Sequence, residues 1–225
     1  MIGDPVALTI RRNIERPSKS IMKAFAGMPT GFVTDAYNGK GCLDYAIKPL
    51  LPTMHFSGSA ITAFCGPMDN LAAMAILDFA KKGDVIVIAT TGDDTAATIG
   101  DLWAFWAKKI GVVAIICDGL VRDVTGLLKV DIPVFARGVK PNSAFKNGPG
   151  EINTTVTCGG VAISAGDIIV GDRDGVVAIP LAEAAQVVER LELVKKKEAE
   201  AKVKKGIKLK FWDPDALGSR LRYID

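Results

Sequence analysis

Two stretches of the chain are apolar at consecutive positions rather than at alternating ones. Val85–Ala89 and Val112–Cys117 are short, largely β-branched runs bounded by polar turns. That pattern predicts strands covered on both faces. Between them lies Asp101–Ile110, opened by Gly100-Asp101, carrying Lys108 and Lys109 in its last turn and followed by Gly111. This predicts a helix with a glycine stop. Thr90–Asp94 reads as a polar loop, and Asp118-Gly119 reads as a turn closing the second strand. Strand, helix, strand in this order predicts a parallel crossover unit.

The flanking pattern fills in an α/β domain with a mixed sheet. Ser18–Ala26 and Thr34–Tyr37 read as short helices behind the turn-forming Pro17 and Pro29-Thr30-Gly31. Ser59–Phe64 reads as a strand and Met68–Ala80 as a helix, with Asp69 and Asn70 near its start and Lys81-Lys82-Gly83 closing it. Pro133–Ala136, Thr155–Thr157, Ile168–Val170 and Val176–Ile179 add shorter strands, and the Gly/Pro-rich stretch from Gly138 to Asn153 reads as a loop. Pro180–Lys205 predicts a long final helix, with Pro180 at its first position and Gly206 as its stop. A catalytic domain over 1–208 and a tail over 209–225 follow, the tail carrying Trp212 and Tyr223 and packing on another surface.

Composition narrows the function. Apolar residues are 49% of the 225, enough to fill a core. The balance of 28 Lys+Arg against 25 Asp+Glu gives +3, too small to predict nucleic-acid binding. No signal-peptide-like run opens the chain and no apolar run is long enough for a bilayer, so a cytoplasmic protein is expected. Cys42, Cys65, Cys117 and Cys158 are scattered without CxxC pairing and read as buried thiols. The single histidine, His55, reads as structural, and one histidine leaves the common zinc sites without ligands. No phosphate loop or dinucleotide fingerprint is present.

The spacing assembles one candidate site. A ten-residue helix runs about 15 Å, and the strand behind it returns over about 20 Å. Asp101 and the pair Arg122-Asp123 therefore meet at one edge of the sheet, beyond the strand C-termini where open α/β sheets bind ligands. The backbone N–H groups of Asp101, Leu102 and Trp103 face the same place, as a helix N-terminus suited to a carboxylate. Two carboxylates with water suit a hard divalent ion, and an arginine suits a keto oxygen or carboxylate. Together they suit an enolate forming on a 2-oxo acid. The plainer alternative makes Arg122 and Asp123 surface residues and Asp101 an N-cap.

These residues carry a resemblance. GDLWAFWAKKIGVVAIICDGLVRD, Gly100 to Asp123, resembles the RraA-like family, which includes the class II 4-hydroxy-4-methyl-2-oxoglutarate / 4-carboxy-4-hydroxy-2-oxoadipate aldolases. The shared hallmark stands here as Asp101-X20-Arg122-Asp123. SGSAITAF near Ser57, PVFARGVKPNSA (Pro133–Ala144), the Ala165-Gly166-Asp167 turn, GDRDGVVAIP (Gly171–Pro180) and a Glu-bearing final helix follow in the family's order. The likeness covers roughly residues 17 to 208.

The resemblance implies a compact α/β sandwich of the swivelling β/α type, with a mixed sheet and a long C-terminal helix, assembled as a homotrimer or a homohexamer. It implies Mg²⁺ or Mn²⁺ on Asp123 with waters completing the shell, and Arg122 on a small 2-oxo acid. Asp101 would orient a water of that shell or serve in proton transfer, and the backbone from Gly100 to Trp103 would hold the substrate carboxylate. Oxaloacetate decarboxylation shares the same pyruvate enolate. Glu198 interrupts the stripe Ala184, Val187, Leu191, Val194, Ala201 on the final helix. It is the best match for a carboxylate that such aldolases draw from the adjacent subunit, ahead of Glu200. Two departures from the family stand out: Gly126 stands where many members carry a carboxylate, and Trp103 and Trp106 are bulkier than usual. The namesake of the family is a protein inhibitor of a ribonuclease, so a binding function is the rival expectation.

Overall fold

The computed structural model describes residues 5–203 and 214–224. In chain order the elements are β1 (Leu8–Ile10), α1 (Lys19–Phe25), α2 (Thr30–Ala36), β2 (Lys48–Pro49), β3 (Phe56–Cys65), α3 (Leu71–Ala75), β4 (Asp84–Ala89), β5 (Ala97–Ile99), α4 (Asp101–Ile110) and β6 (Ala114–Val121). Then come α5 (Val124–Val130), β7 (Val134–Val139), β8 (Gly150–Ile152), β9 (Val156–Cys158), β10 (Val161–Ile163), β11 (Ile168–Gly171), β12 (Val176–Ile179), α6 (Ala184–Val203) and α7 (Pro214–Leu217).

The α/β class and the mixed sheet are as expected. β3, β4, β6 and β7 run parallel in that order. On the outer edge of β3, β11 pairs with its first half and β8 with its second, both antiparallel. Every residue of β4 is buried, yet its side chains alternate between two cores. Ile86 and Ile88 join Ile115 and Trp103 in the layer under α3, α4 and α5. Val85 and Val87 join Ile116 and Phe135 in the layer under the β9–β10 hairpin. A third core packs α1, α2 and α6 over β11 and β12.

Several boundaries differ from the sequence expectation, each for a tertiary reason. Asp118-Gly119 is no turn: β6 continues to Val121 because the buried Asp118 carboxylate accepts the N–H (2.6 Å) and hydroxyl (2.9 Å) of Thr90. The register with β7 shifts there instead. The helix expected over Met68–Ala80 is an α-turn over Leu71–Ala75 and a 3₁₀ turn over Ile76–Asp78, and Met68 is left-handed. β8 lies inside the stretch read as loop, since its partners β1 and β3 supply its hydrogen bonds. Pro180 precedes a 3₁₀ turn, Leu181–Glu183, so α6 begins at Ala184. α2 starts at Thr30, inside the expected turn, rather than at Thr34, and the Thr30 N–H (2.7 Å) and hydroxyl (2.7 Å) donate to Asp172.

Cys65, Cys117 and Cys158 are buried, and burial pushes the Cys65 and Cys117 thiols up to about 12; Cys42 is exposed, contrary to expectation. His55 is exposed, and among the described residues its Nε2 makes one hydrogen bond, with the Met28 carbonyl at 3.3 Å. The expected stop at Gly206 and Trp212 lie outside the described residues. Tyr223 is exposed. Among the described residues no helix is long and apolar enough to cross a membrane.

Candidate functional site

The site forms where α4 and the residues after β6 meet, beyond the C-terminal ends of the parallel strands. The Arg122 N–H donates to the Ile99 carbonyl (3.0 Å), extending the β5–β6 pairing by one residue and setting Arg122 beside Gly100. Asp123 then turns left-handed, at φ 58° and ψ 40°. Its carbonyl accepts the N–H groups of Gly126 (2.8 Å) and Leu127 (2.9 Å), which starts α5. This backbone costs a non-glycine residue on the order of 1–2 kcal/mol, and it brings the Asp123 carboxylate against Gly100. A Cβ on Gly100 would overlap Asp123 Oδ2.

Asp101 occupies the first turn of α4, and Gly100, not Asp101, is the N-cap. Asp101 Oδ1 accepts the N–H of Leu102 at 2.7 Å, so that amide is engaged and not open as expected. The rest of the Asp101 carboxylate lies on Gly126, where an added Cβ would come within 2.6 Å of Asp101 Cγ. Arg122 Nε stands 3.3 Å from Asp123 Oδ2, and its Nη1 donates to the Ser143 hydroxyl. Both members of the Arg122–Asp123 pair are about half exposed, at 40% and 45%.

These groups line one cavity of about 630 Å³. Gly100, Asp101, Leu102, Trp103, Arg122 and Asp123 all border it, as the spacing predicted. Trp103 is buried and its indole N–H donates to the Ala73 carbonyl (2.8 Å), so its bulk belongs to the core. Trp106, 54% exposed, stands on the cavity wall. Glu198, half-buried on α6, does not line this cavity within its own chain.

Among the wall residues missed by sequence reasoning are the polar Asn70, Ser143 and Lys146. Asn70 is 7% exposed; its Nδ2 donates to the Thr98 carbonyl (2.8 Å), while its Oδ1 has no hydrogen-bond partner among the described residues. Ser143 and Lys146 belong to the segment 140–149, which is stitched over the cavity. Phe145 exchanges backbone bonds with Met68 (2.7 Å) and Asn70 (2.8 Å), and the Asp69 carboxylate accepts the N–H groups of Asn147 (2.5 Å) and Gly148 (2.9 Å). Asp93 accepts the Met68 N–H (2.8 Å) beneath it. Burial pushes the Asp93 carboxyl up, but hydrogen bonds from Thr95 and Met68 and the charge of Lys140 outweigh that and hold it below its ordinary value.

The cavity lies at a helix N-terminus beyond the parallel strand ends, the position at which open α/β folds hold small anionic ligands. The model for the RraA-like family, Aldolase/RraA, matches residues 30–178, and the chain belongs to that family. A protein of Halalkalibacterium halodurans named as a candidate 4-hydroxy-4-methyl-2-oxoglutarate aldolase is 39% identical over 176 residues, covering 78% of this chain and 82% of that one. The RNA-processing inhibitor RraA from Thermus thermophilis is 25% identical, with a TM-score of 0.63 over 68% of this chain and 93% of that one. An uncharacterized protein from Pseudomonas syringae pv. tomato, 24% identical, shares the fold with a TM-score of 0.75 over 86% of this chain and 96% of that one.

Proposed function

We propose that this protein is a divalent-metal-dependent lyase that cleaves small 2-oxo acids by retro-aldol reaction or decarboxylates them through a pyruvate enolate. The observation that carries the reading is the convergence of Asp101, Arg122 and Asp123 on one cavity wall at the start of α4. The name of the H. halodurans relative supports the same chemistry.

The donor set fits Mg²⁺ or Mn²⁺. It is oxygen only, and among the described residues no three His, Cys, Asp or Glu side chains converge. An ion here would keep several waters, as hard divalent ions do. Asp123 would hold it, with Asp101 beside it. Once bound, the ion supplies positive charge where the keto oxygen becomes negative.

The chain's own groups do the rest. The α4 N-terminus receives the substrate carboxylate. Arg122, steadied by Ser143 and Asp123, donates to the keto oxygen as charge grows there. A retro-aldol substrate loses the proton of its 4-hydroxyl, the C3–C4 bond breaks, and the electron pair enters the keto group as an enolate that is protonated at C3. Decarboxylation places the same pair in the same group. Asp101 would move the proton. The Oδ1 of Asn70, unpartnered among the described residues, is an acceptor for a substrate hydroxyl.

The test is pyruvate release from oxaloacetate and from 4-hydroxy-4-methyl-2-oxoglutarate. Turnover is expected with Mg²⁺ or Mn²⁺, and full activity after exhaustive chelation would defeat the metal-dependent reading. Likeness to the T. thermophilis RNA-processing inhibitor sustains the rival reading, a regulator that binds a ribonuclease. Absence of turnover on either substrate with either metal would favour it.

The proposed assembly is a homotrimer or homohexamer in which Glu198 reaches a neighbour's cavity. Asp123→Ala and Glu198→Ala subunits, refolded together, should regain activity above either parent. Wild-type activity in Glu198→Ala would remove the role.

A further inference from the structure

The cavity at the start of α4 has a polar part and an apolar part. Asp101, Arg122 and Asp123 gather where the helix begins, with Ser143 on Arg122. α3, the 3₁₀ turn after it and the rest of α4 supply Met74, Leu77, Leu102, Trp103 and Trp106, and no charged group. Met74 and Leu77 pack on the core layer under α3 and α4, and the Trp103 indole N–H is committed to the Ala73 carbonyl. Trp106 stands five residues beyond Asp101, about 7.5 Å further along the helix axis. Leu102 and Trp106, one turn apart on α4, remain 69% and 54% exposed. Phe105, which does not line the cavity, packs edge-on against Trp106 with ring centroids 5.5 Å apart and braces the indole. A 2-oxo acid of nine heavy atoms fills at most about 270 Å³ if each atom takes a water molecule's share of space. The cavity holds about 630 Å³, so an acid anchored at the polar part leaves more than half of it to whatever the acid carries. Large apolar side chains kept in water beside an anchoring site are covered best by an apolar ligand group.

Resting on the lyase reading, we propose that this apolar part is a subsite for an uncharged alkyl or aryl group on C4 of the substrate, and that Trp106 is the residue that selects it. The carbonyl product formed beside pyruvate is then an apolar aldehyde or ketone. The C3–C4 bond breaks and its electron pair passes into the keto group. C4 keeps its oxygen as the new carbonyl, the hydroxyl proton leaves to Asp101, and C3 is protonated. Trp106 contributes to binding and takes no part in bond cleavage.

The experiment uses probes without a 4-hydroxyl, which need no turnover: pyruvate, 2-oxopentanoate and 2-oxooctanoate, titrated calorimetrically into the full chain with Mg²⁺. Each buried methylene adds about fourfold in affinity, so 2-oxooctanoate should bind roughly 10- to 60-fold more tightly than 2-oxopentanoate. Trp106→Ala should remove most of that gain and leave pyruvate binding unchanged, while Trp106→Phe should keep most of it. Leu102→Ala, at an exposed position, should give a smaller loss of the same kind and serves if Trp106→Ala does not fold. The matching kinetic pair is 4-hydroxy-2-oxopentanoate and 4-hydroxy-2-oxooctanoate. Trp106→Ala should raise KM for the second alone, with kcat little changed. Equal affinity for the two longer probes in wild type, or an undiminished gain in Trp106→Ala, overturns the proposal. Dissociation of the oligomer in Trp106→Ala with the chain-length gain intact overturns it too and assigns this surface to a subunit contact. A Trp106-dependent gain in a protein that cleaves neither substrate would overturn the lyase reading and leave the subsite standing, and turnover of both at equal KM would do the reverse.

Discussion

Two of the arginine–aspartate pairs among the described residues sit at opposite ends of the parallel strands, and they are built on opposite plans. At the start of β4, Arg16 grips Asp84 with two bonds, Nε to Oδ1 at 2.9 Å and Nη2 to Oδ2 at 2.8 Å. The Lys81 N–H adds a third bond at 2.8 Å, and Asp84 is 1% exposed. Beyond β6, Arg122 and Asp123 share one 3.3 Å contact and stay about half exposed. The Asp84 carboxylate is buried under three hydrogen bonds and is not open to a ligand. The second pair keeps lone pairs and donors open on a cavity wall. Whether an ion pair holds a fold or serves a ligand is here a matter of how many of its hydrogen-bonding sites are filled.

The contrast can be broken by mutation. Asp123→Ala should abolish metal binding measured calorimetrically and reduce turnover to background, while the melting temperature holds. Arg122→Lys keeps the charge and loses the planar fork. Turnover should fall roughly 100-fold or more, as for removal of a major electrostatic stabiliser. Arg16→Met should do the reverse. It leaves a buried carboxylate without its partner, at a cost of about 3 kcal/mol, which in a domain this size lowers the melting point by roughly 6–12 °C. Activity per folded molecule should survive, and a comparable loss of kcat would end the distinction between the pairs.

Finer changes sharpen it. Gly126→Ala places a Cβ against Asp101 and should cost about tenfold in turnover, equivalent to about 1.4 kcal/mol, with Asp101→Ala and the double variant no worse than the single Asp101 change. The smallest effect concerns Asp93. Its folded pKa is depressed, so the stability it contributes is fully present above the ordinary carboxylate range and is lost as pH falls through the lower folded value. Asp93→Asn should therefore be less stable than wild type at pH 7 and show a shallower loss of stability below about pH 4.

The part of the molecule that the chain spells out locally is the crossover unit. α4 begins and ends where its Gly100-Asp101 start and Gly111 stop say it should, and the all-apolar β4 is a doubly covered strand. That unit contains Asp101 and leads directly to Arg122 and Asp123, so half the site was legible as a spacing. α5 was not, because Gly126 interrupts a short sequence of modest helix propensity. It forms because the Asp123 carbonyl caps it and Leu127 is buried. The other wall was illegible for a different reason. Asn70 and Lys146 are 76 positions apart and meet only because backbone groups of Met68, Asn70 and Phe145 pair across a loop. Backbone pairing of that kind leaves no side-chain period to read.

The two tryptophans of α4 give the site a built-in optical signal. Trp103 is sealed in the core with its indole N–H bonded, and Trp106 stands half in water at the cavity mouth. Their emission should accordingly divide into a blue-shifted, quencher-resistant component and a red-shifted one that iodide reaches. Ligand entry would alter only the second. In a Trp212→Phe background, a titration followed by fluorescence would then report occupancy of the cavity directly, with no coupled assay and no turnover required.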